Sequence, residues 1–163
     1  MSGTTLAYDT DVYMDPALPG LLADLQFTDK VVVACGPAPQ PFGSIVGMDA
    51  ATGVSVLPVT NAQGIAIRET AYGGRAGGQA GAYVQYDAIA VCKRGRIWAL
   101  ASGPCTKGGP VKYDPASGIV GDAGTATLAK AKFVTGDVAL TALIAGAPVR
   151  RIVQVELHEP TVV

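Results

Sequence analysis

From residue 30 onward, turn signals recur roughly every 8–12 residues and leave only short, β-branched or apolar runs between them. The runs fall at 30–35, 42–48, 54–59, 64–70, 83–92, 97–101, 110–114, 119–120, 131–135, 138–144 and 149–158. The chain has 21 glycines and 11 prolines among its 163 residues, and most of them sit at these boundaries. Three prolines between Gly36 and Pro41 deny ladder donors and force a loop. Pro58 marks 54–59 as an edge strand for the same reason. Asp49-Ala50-Ala51-Thr52-Gly53 and Asp114-Pro115-Ala116-Ser117-Gly118 read as turns of one style, the first with Gly53 suited to a positive φ. Two stretches stay open. Lys93-Arg94-Gly95-Arg96 is either a hairpin turn or a bulge within one long strand. Residues 138–144 fit strand or helix, because alanine and leucine permit both. Residues 149–158 alternate, with Val149, Arg151, Val153, Val155 and Leu157 opposite Arg150, Ile152, Gln154, Glu156 and His158. The expected fold is all-β: a small β-barrel or β-sandwich, jelly-roll-like, over residues 30–163.

Residues 1–29 are unlike the rest and read as an extended N-terminal arm. Pro16 and Pro19-Gly20 interrupt them, and tyrosines interleave with aspartates. The anchors include Tyr8, Tyr13, Leu18, Leu21, Leu22 and Phe27. Such an arm either lies on another subunit or folds back on its own domain. Charge separates along the same line. Residues 1–30 carry five acids and one base, a net of -4, while the remaining residues carry 8 acids and 11 bases, a net of +3. The bases are not dense enough for a nucleic-acid binder, and solvated surface charge accounts for most of them.

A hydrophobic content of 49% supports a packed core, and the charged content of 15% is low for a soluble domain. No apolar run approaches the roughly 18 residues needed to cross a bilayer. No basic region followed by an apolar stretch marks a secretory signal. Cys35, Cys92 and Cys105 are odd in number and widely spaced, which argues against a disulfide framework or a zinc site. Cys35 and Cys92 read as small buried hydrophobes and Cys105 as a loop position, in a chain made in a reducing cytosol.

Catalysis needs a constellation of reactive groups, and the sequence offers none. His158 is the single histidine, and there are three glutamates. No Cys-x-x-Cys, His-x-x-x-His, Gly-x-Ser-x-Gly or paired-aspartate motif occurs. The Gly-rich stretch 72–82, which contains Arg75, lacks the Gly-Lys-Ser/Thr ending of a phosphate loop and reads as a mobile surface loop. No catalytic residue, cofactor or metal is called for. Low charge, glycine-rich loops and an arm suit a protein that works through buried area.

Several strings, in order, carry a resemblance. They are Pro19-Gly20-Leu21-Leu22-Ala23-Asp24, Pro41-Phe42-Gly43-Ser44-Ile45-Val46 and Gly64-Ile65-Ala66-Ile67-Arg68. Ala90-Val91-Cys92-Lys93-Arg94-Gly95-Arg96-Ile97-Trp98 and the block from Gly109 to Gly118 follow. Over about residues 16–157 the chain resembles the structural cement (head decoration) proteins of tailed bacteriophages. The resemblance implies a non-enzymatic protein on the outer surface of the virion capsid, made in the host cytoplasm. It would bridge major capsid protein subunits and hold the shell against the pressure of packaged DNA. Expected partners are the major capsid protein and the chain itself, as homodimer or homotrimer, with no direct nucleic acid and no membrane. Candidate contacts are Tyr8, Tyr13, Leu18, Leu21, Leu22, Phe27, Arg75, Arg94 and Arg96. The Gly73–Gly81 loop, Arg150-Arg151 and the Cys105 loop depart from the family pattern. The alternatives are another virion β-module, associated with tail or receptor binding, and a small-ligand-binding β-barrel.

Overall fold

A computed structural model describes residues 18–23, 28–68, 81–140 and 150–158. Among the described residues every regular element is a strand. They run β1 (Asp29–Ala34), β2 (Gln40–Pro41), β3 (Ile45–Met48), β4 (Ser55–Val56), β5 (Ala62–Ala66), β6 (Ala82–Tyr83) and β7 (Ala88–Ala101). Then come β8 (Pro110–Tyr113), β9 (Ala126–Phe133), β10 (Val138–Ala139) and β11 (Arg151–His158).

The main sheet is antiparallel and ordered β4-β3-β5-β7-β11-β9-β8, with β1 added to β7 and β10 to β11. The path ends at β4 and β8 and does not close, so of the two expected architectures the sandwich-like one fits and the closed barrel does not. β2 and β6 form a separate two-stranded ribbon. β4 lies at a sheet edge, as Pro58 requires.

β7 is the spine. The basic Lys93–Arg96 stretch is part of this single 14-residue strand, not a hairpin turn. Against β1 the register slips, with Asp29 opposite Arg94 and Lys30 opposite Cys92, so Lys93 is a bulge. The bulge has a packing consequence, because one extra residue swaps which alternate side chains face which way. Before it, Ile89 and Val91 enter a core with Val33, Cys35, Phe42, Val46, Ala66 and Tyr83. After it, Ile97, Ala99 and Ala101 join Cys92 in the larger core with Ile45, Ile65, Phe133, Val153 and Val155. β3 and β5 serve both cores by simple alternation. Ile45 and Ile65 face the larger core, and Val46 and Ala66 face the smaller.

β9 is longer than the 131–135 run. Leu128 and Phe133 are both buried although five positions apart. Lys130 between them has φ 54, and the β8–β9 register shifts between Pro110 and Lys112. On β11 the alternation holds for Val153, Val155 and Leu157, but Ile152 is also fully buried. At this point β11 runs between β7 and β10, with Ile152 opposite Leu100 and Val138. Of the ambiguous 138–144 run, Val138–Ala139 is strand, and 141–144 lie outside the described residues.

The two matched turns form as expected. Gly53 and Gly118 both have φ 71, and their N–H groups donate to the carbonyls of Asp49 and Asp114, each at 2.8 Å. The Asp49 carboxylate accepts from the N–H groups of Ala51 and Thr52, and Asp114 accepts from Ala116 N–H. Asp49→Ala removes only exposed turn bonds. It is expected to lower Tm by no more than a few degrees.

Candidate interaction surface

The described part of the leader is seated in its own sheet. Leu22 pairs with Ile97 and packs on the larger core. Gly20 N–H donates to Trp98 O at 2.7 Å, Trp98 N–H to Leu21 O at 2.9 Å, and Ala23 N–H to Arg96 O at 2.8 Å. Arg68 N–H donates to Gly20 O at 2.8 Å, which ties the same segment to the end of β5. Leu22 is therefore an anchor, whereas Leu18 (44% exposed) and Leu21 (38%) present apolar surface outward. Tyr8, Tyr13, Phe27 and Arg75 lie outside the described residues.

Arg94 and Arg96 are exposed on β7. Arg96 Nε donates to Glu156 Oε2 at 3.1 Å on the adjacent strand. Lys132 from β9 lies 3.7 Å from Glu156 Oε1, and His158 Nε2 is 2.8 Å from the same oxygen. Burial alone would raise the Glu156 pKa, but the bonds from His158 and Arg96 and the charge of Lys132 outweigh it and hold the carboxyl below its ordinary value. One carboxylate thus ties three strands across the outer face. The alternation of β11 places Glu156 outward, but its partners depend on register, which only pairing supplies.

A second paired carboxylate lies by the Cys105 loop. Asp137 accepts from Cys105 N–H at 3.0 Å and pairs with Arg151. Burial opposes its ionisation, and the Cys105 N–H and the Arg151 guanidinium overcome that and lower its pKa. Both depressed carboxyls stabilise the folded chain above the ordinary carboxylate range, and the contribution is lost as pH falls through it. Thermal stability should hold down to about pH 5 and then fall. In the Asp137→Asn/Glu156→Gln variant that fall should be shallower, and an identical melting profile from pH 7 to 3 would refute the assignment.

The three thiols are buried. Burial raises Cys35, pushes Cys92 to about 11 and Cys105 to about 12. All three are protonated near neutral pH and are poor nucleophiles. Among the described residues no group of three or more His, Cys, Asp and Glu is placed to hold a metal ion. No helix among them is long and apolar enough to cross a membrane.

One concave site escapes the sequence reading. A cavity of about 300 Å³ is lined by Pro19, Pro41, Phe42, Leu100 and Ile119, with Arg68 and Arg150 at its wall. The Arg68 guanidinium stacks over the Phe42 ring, 5.2 Å from its centroid, and Phe42 meets Tyr83 edge-on at 5.0 Å. The two arginines are 82 positions apart in sequence, so no local signal joins them.

The family described as Structural cement protein (E217 gp24/Pam3 gp6) matches residues 7–158. The chain belongs to this phage structural cement protein family. The family is structural and non-enzymatic, so this cement protein is a component of the virion capsid and not an enzyme. The cement protein also has the fold of a chain in the solved structure "The capsid of Myoviridae Phage XM1". The two are 16% identical with a TM-score of 0.62, over 88% of this chain and 91% of that one. No curated protein matches the chain.

Proposed function

We propose that the protein binds the outer surface of the phage head, bridges neighbouring major capsid protein subunits and holds them against the pressure of packaged DNA. The family match over residues 7–158 carries this reading. The physical logic is linkage. A protein that binds the assembled shell and not its dissociated subunits stabilises the shell. Repetition over many symmetric sites makes modest contacts sufficient. The exposed Leu18 and Leu21, the exposed Arg94, and the leader with Tyr8 and Tyr13 supply contacts to capsid protein or to an adjacent copy. Phe27 and Arg75 belong to the same proposed set, Arg96 contributes through its pair with Glu156, and Leu22 anchors the leader's base.

The test adds purified protein to bare shells and measures occupancy and shell melting. Many copies per head and a raised shell melting temperature are expected, and no binding, or recovery with tails instead of heads, overturns the reading. A variant lacking residues 1–17 keeps Gly20–Ala23 on β7 and removes only the reach of the leader. Its occupancy should fall at least about tenfold if the leader contributes even one hot-spot contact.

A further inference from the structure

We propose that the Arg68–Arg150 cavity receives the acidic, aromatic-bearing leader of a second copy of this chain, in a reciprocal exchange that forms a two-fold dimer. This rests on the reading above that the leader reaches a neighbour, and it names where the leader docks. Among the described residues neither guanidinium makes an ion pair, whereas Arg96 and Arg151 both do. Arg68 is held in place from both ends, by its backbone bond to Gly20 and by its stacking on Phe42. Arg150 lies beside Gly81 on the same cavity wall. Burial first, and then the charge of Arg150, disfavour the Arg68 cation. A carboxylate between the two groups relieves that repulsion.

The rest of the cavity selects the ligand further. Its walls of Pro19, Pro41, Phe42, Leu100 and Ile119 are apolar, which suits a peptide segment better than a bare inorganic anion. The leader has the matching character. It reads Tyr8-Asp9-Thr10-Asp11-Val12-Tyr13-Met14-Asp15, with acids alternating among apolar and aromatic residues and no base. Charge complementarity between the acidic leader and the basic body is thus localised at one place.

The geometry also selects the symmetry. Pro19, where the leader begins its course along the domain, lines the receiving cavity. The base of the leader thus adjoins the acceptor, and the neighbouring Leu18 and Leu21 are exposed. Two copies that exchange segments through a shared face satisfy each other in an isologous two-fold contact, and nothing remains to extend it. Tyr8 is ten residues from Leu18, a reach of up to about 33 Å, enough to cross to a second copy.

The experiment measures the mass of the full chain by sedimentation across a range of concentrations. Wild type should dimerise. Arg68→Glu/Arg150→Glu should weaken the dimer on the order of 100-fold, and Asp9→Lys/Asp11→Lys/Asp15→Lys should do the same. Arg150→Glu alone, at an exposed position, guards against a folding defect from losing the Arg68–Phe42 stack, and it should weaken the dimer in the same direction. Mixing the two charge-reversed proteins decides the matter. Each leader then meets an opposite charge only in the other chain, and heterodimers should form. A monomeric wild type (capture of each leader by its own chain), unchanged dimers in the variants, or no heterodimer on mixing overturns the proposal. Shell binding by wild type is a separate measurement, so failure here leaves the cement reading standing on its own test.

Discussion

Gly64→Ala is expected to unfold this protein more readily than any other addition of a single methyl group to β5. Gly64 lies on β5, opposite Val46 of β3, with β7 on the other side. A Cβ there would stand 2.1 Å from the Cys92 carbonyl oxygen and 3.0 Å from Val91 Cγ1, and the backbone φ of 151 is one that L side chains rarely adopt. Neither obstacle can move cheaply, because Val91 and Cys92 pair with both β1 and β5 and belong to the two cores. Overpacking a closed core costs about 1–3 kcal/mol, and the strained backbone adds about 1–2 kcal/mol. For a domain of this size the sum lowers Tm by roughly 4–20 °C. Gly53→Ala is the control. Its φ is 71 but nothing lies within 4 Å of the added Cβ, so only the conformational cost of about 1–2 kcal/mol applies. Equal melting temperatures for the two variants would show that β5 and β7 are not packed as described.

Phe133→Ala should cost about 3–5 kcal/mol. Phe133 is completely buried in the larger core and stands opposite Val155 of β11. Its backbone holds the β8 turn, accepting from Gly108 N–H at 2.7 Å and donating to Gly109 O at 3.0 Å. Those backbone bonds survive truncation, so the loss is that of buried apolar area plus the cavity left behind. Phe133→Leu refills most of that space and should cost under about 1.5 kcal/mol. The two variants are compared by chemical denaturation, with the midpoint shifting and the slope unchanged. A loss below about 1 kcal/mol for the alanine variant would mean that the core is not closed at this point.

Several features were legible because their causes are local. Proline's missing donor placed β4 at an edge, and Asp-x-Ala-Thr/Ser-Gly produced two turns with the same bonds. The outward position of Glu156 followed from alternation on β11. The family resemblance was carried by short strings in order, and the family match spans them. The facing of side chains was less legible, for one physical reason. Alternation assumes an unbroken pleat, and the Lys93 bulge and the positive φ of Lys130 each reset it. Alternation on β11 sets Ile152 opposite Val153, yet both are fully buried, and Ile152 runs between Leu100 of β7 and Val138 of β10.

The leader shows the division most plainly. Its acidity, its tyrosines and its distinctness from the body are properties of composition and order along the chain. That Leu22 is an anchor while Leu18 and Leu21 face outward depends on hydrogen bonds to Trp98 and Arg96, more than seventy residues away. The same holds for the cavity. Arginine at 68 and arginine at 150 are ordinary surface residues until β5, the Phe42 turn and the approach to β11 bring them to one wall. Turn chemistry, strand content and charge segregation are set by neighbours in sequence. Strand register, core membership and the meeting of distant charges are set by long-range pairing, which no local pattern encodes.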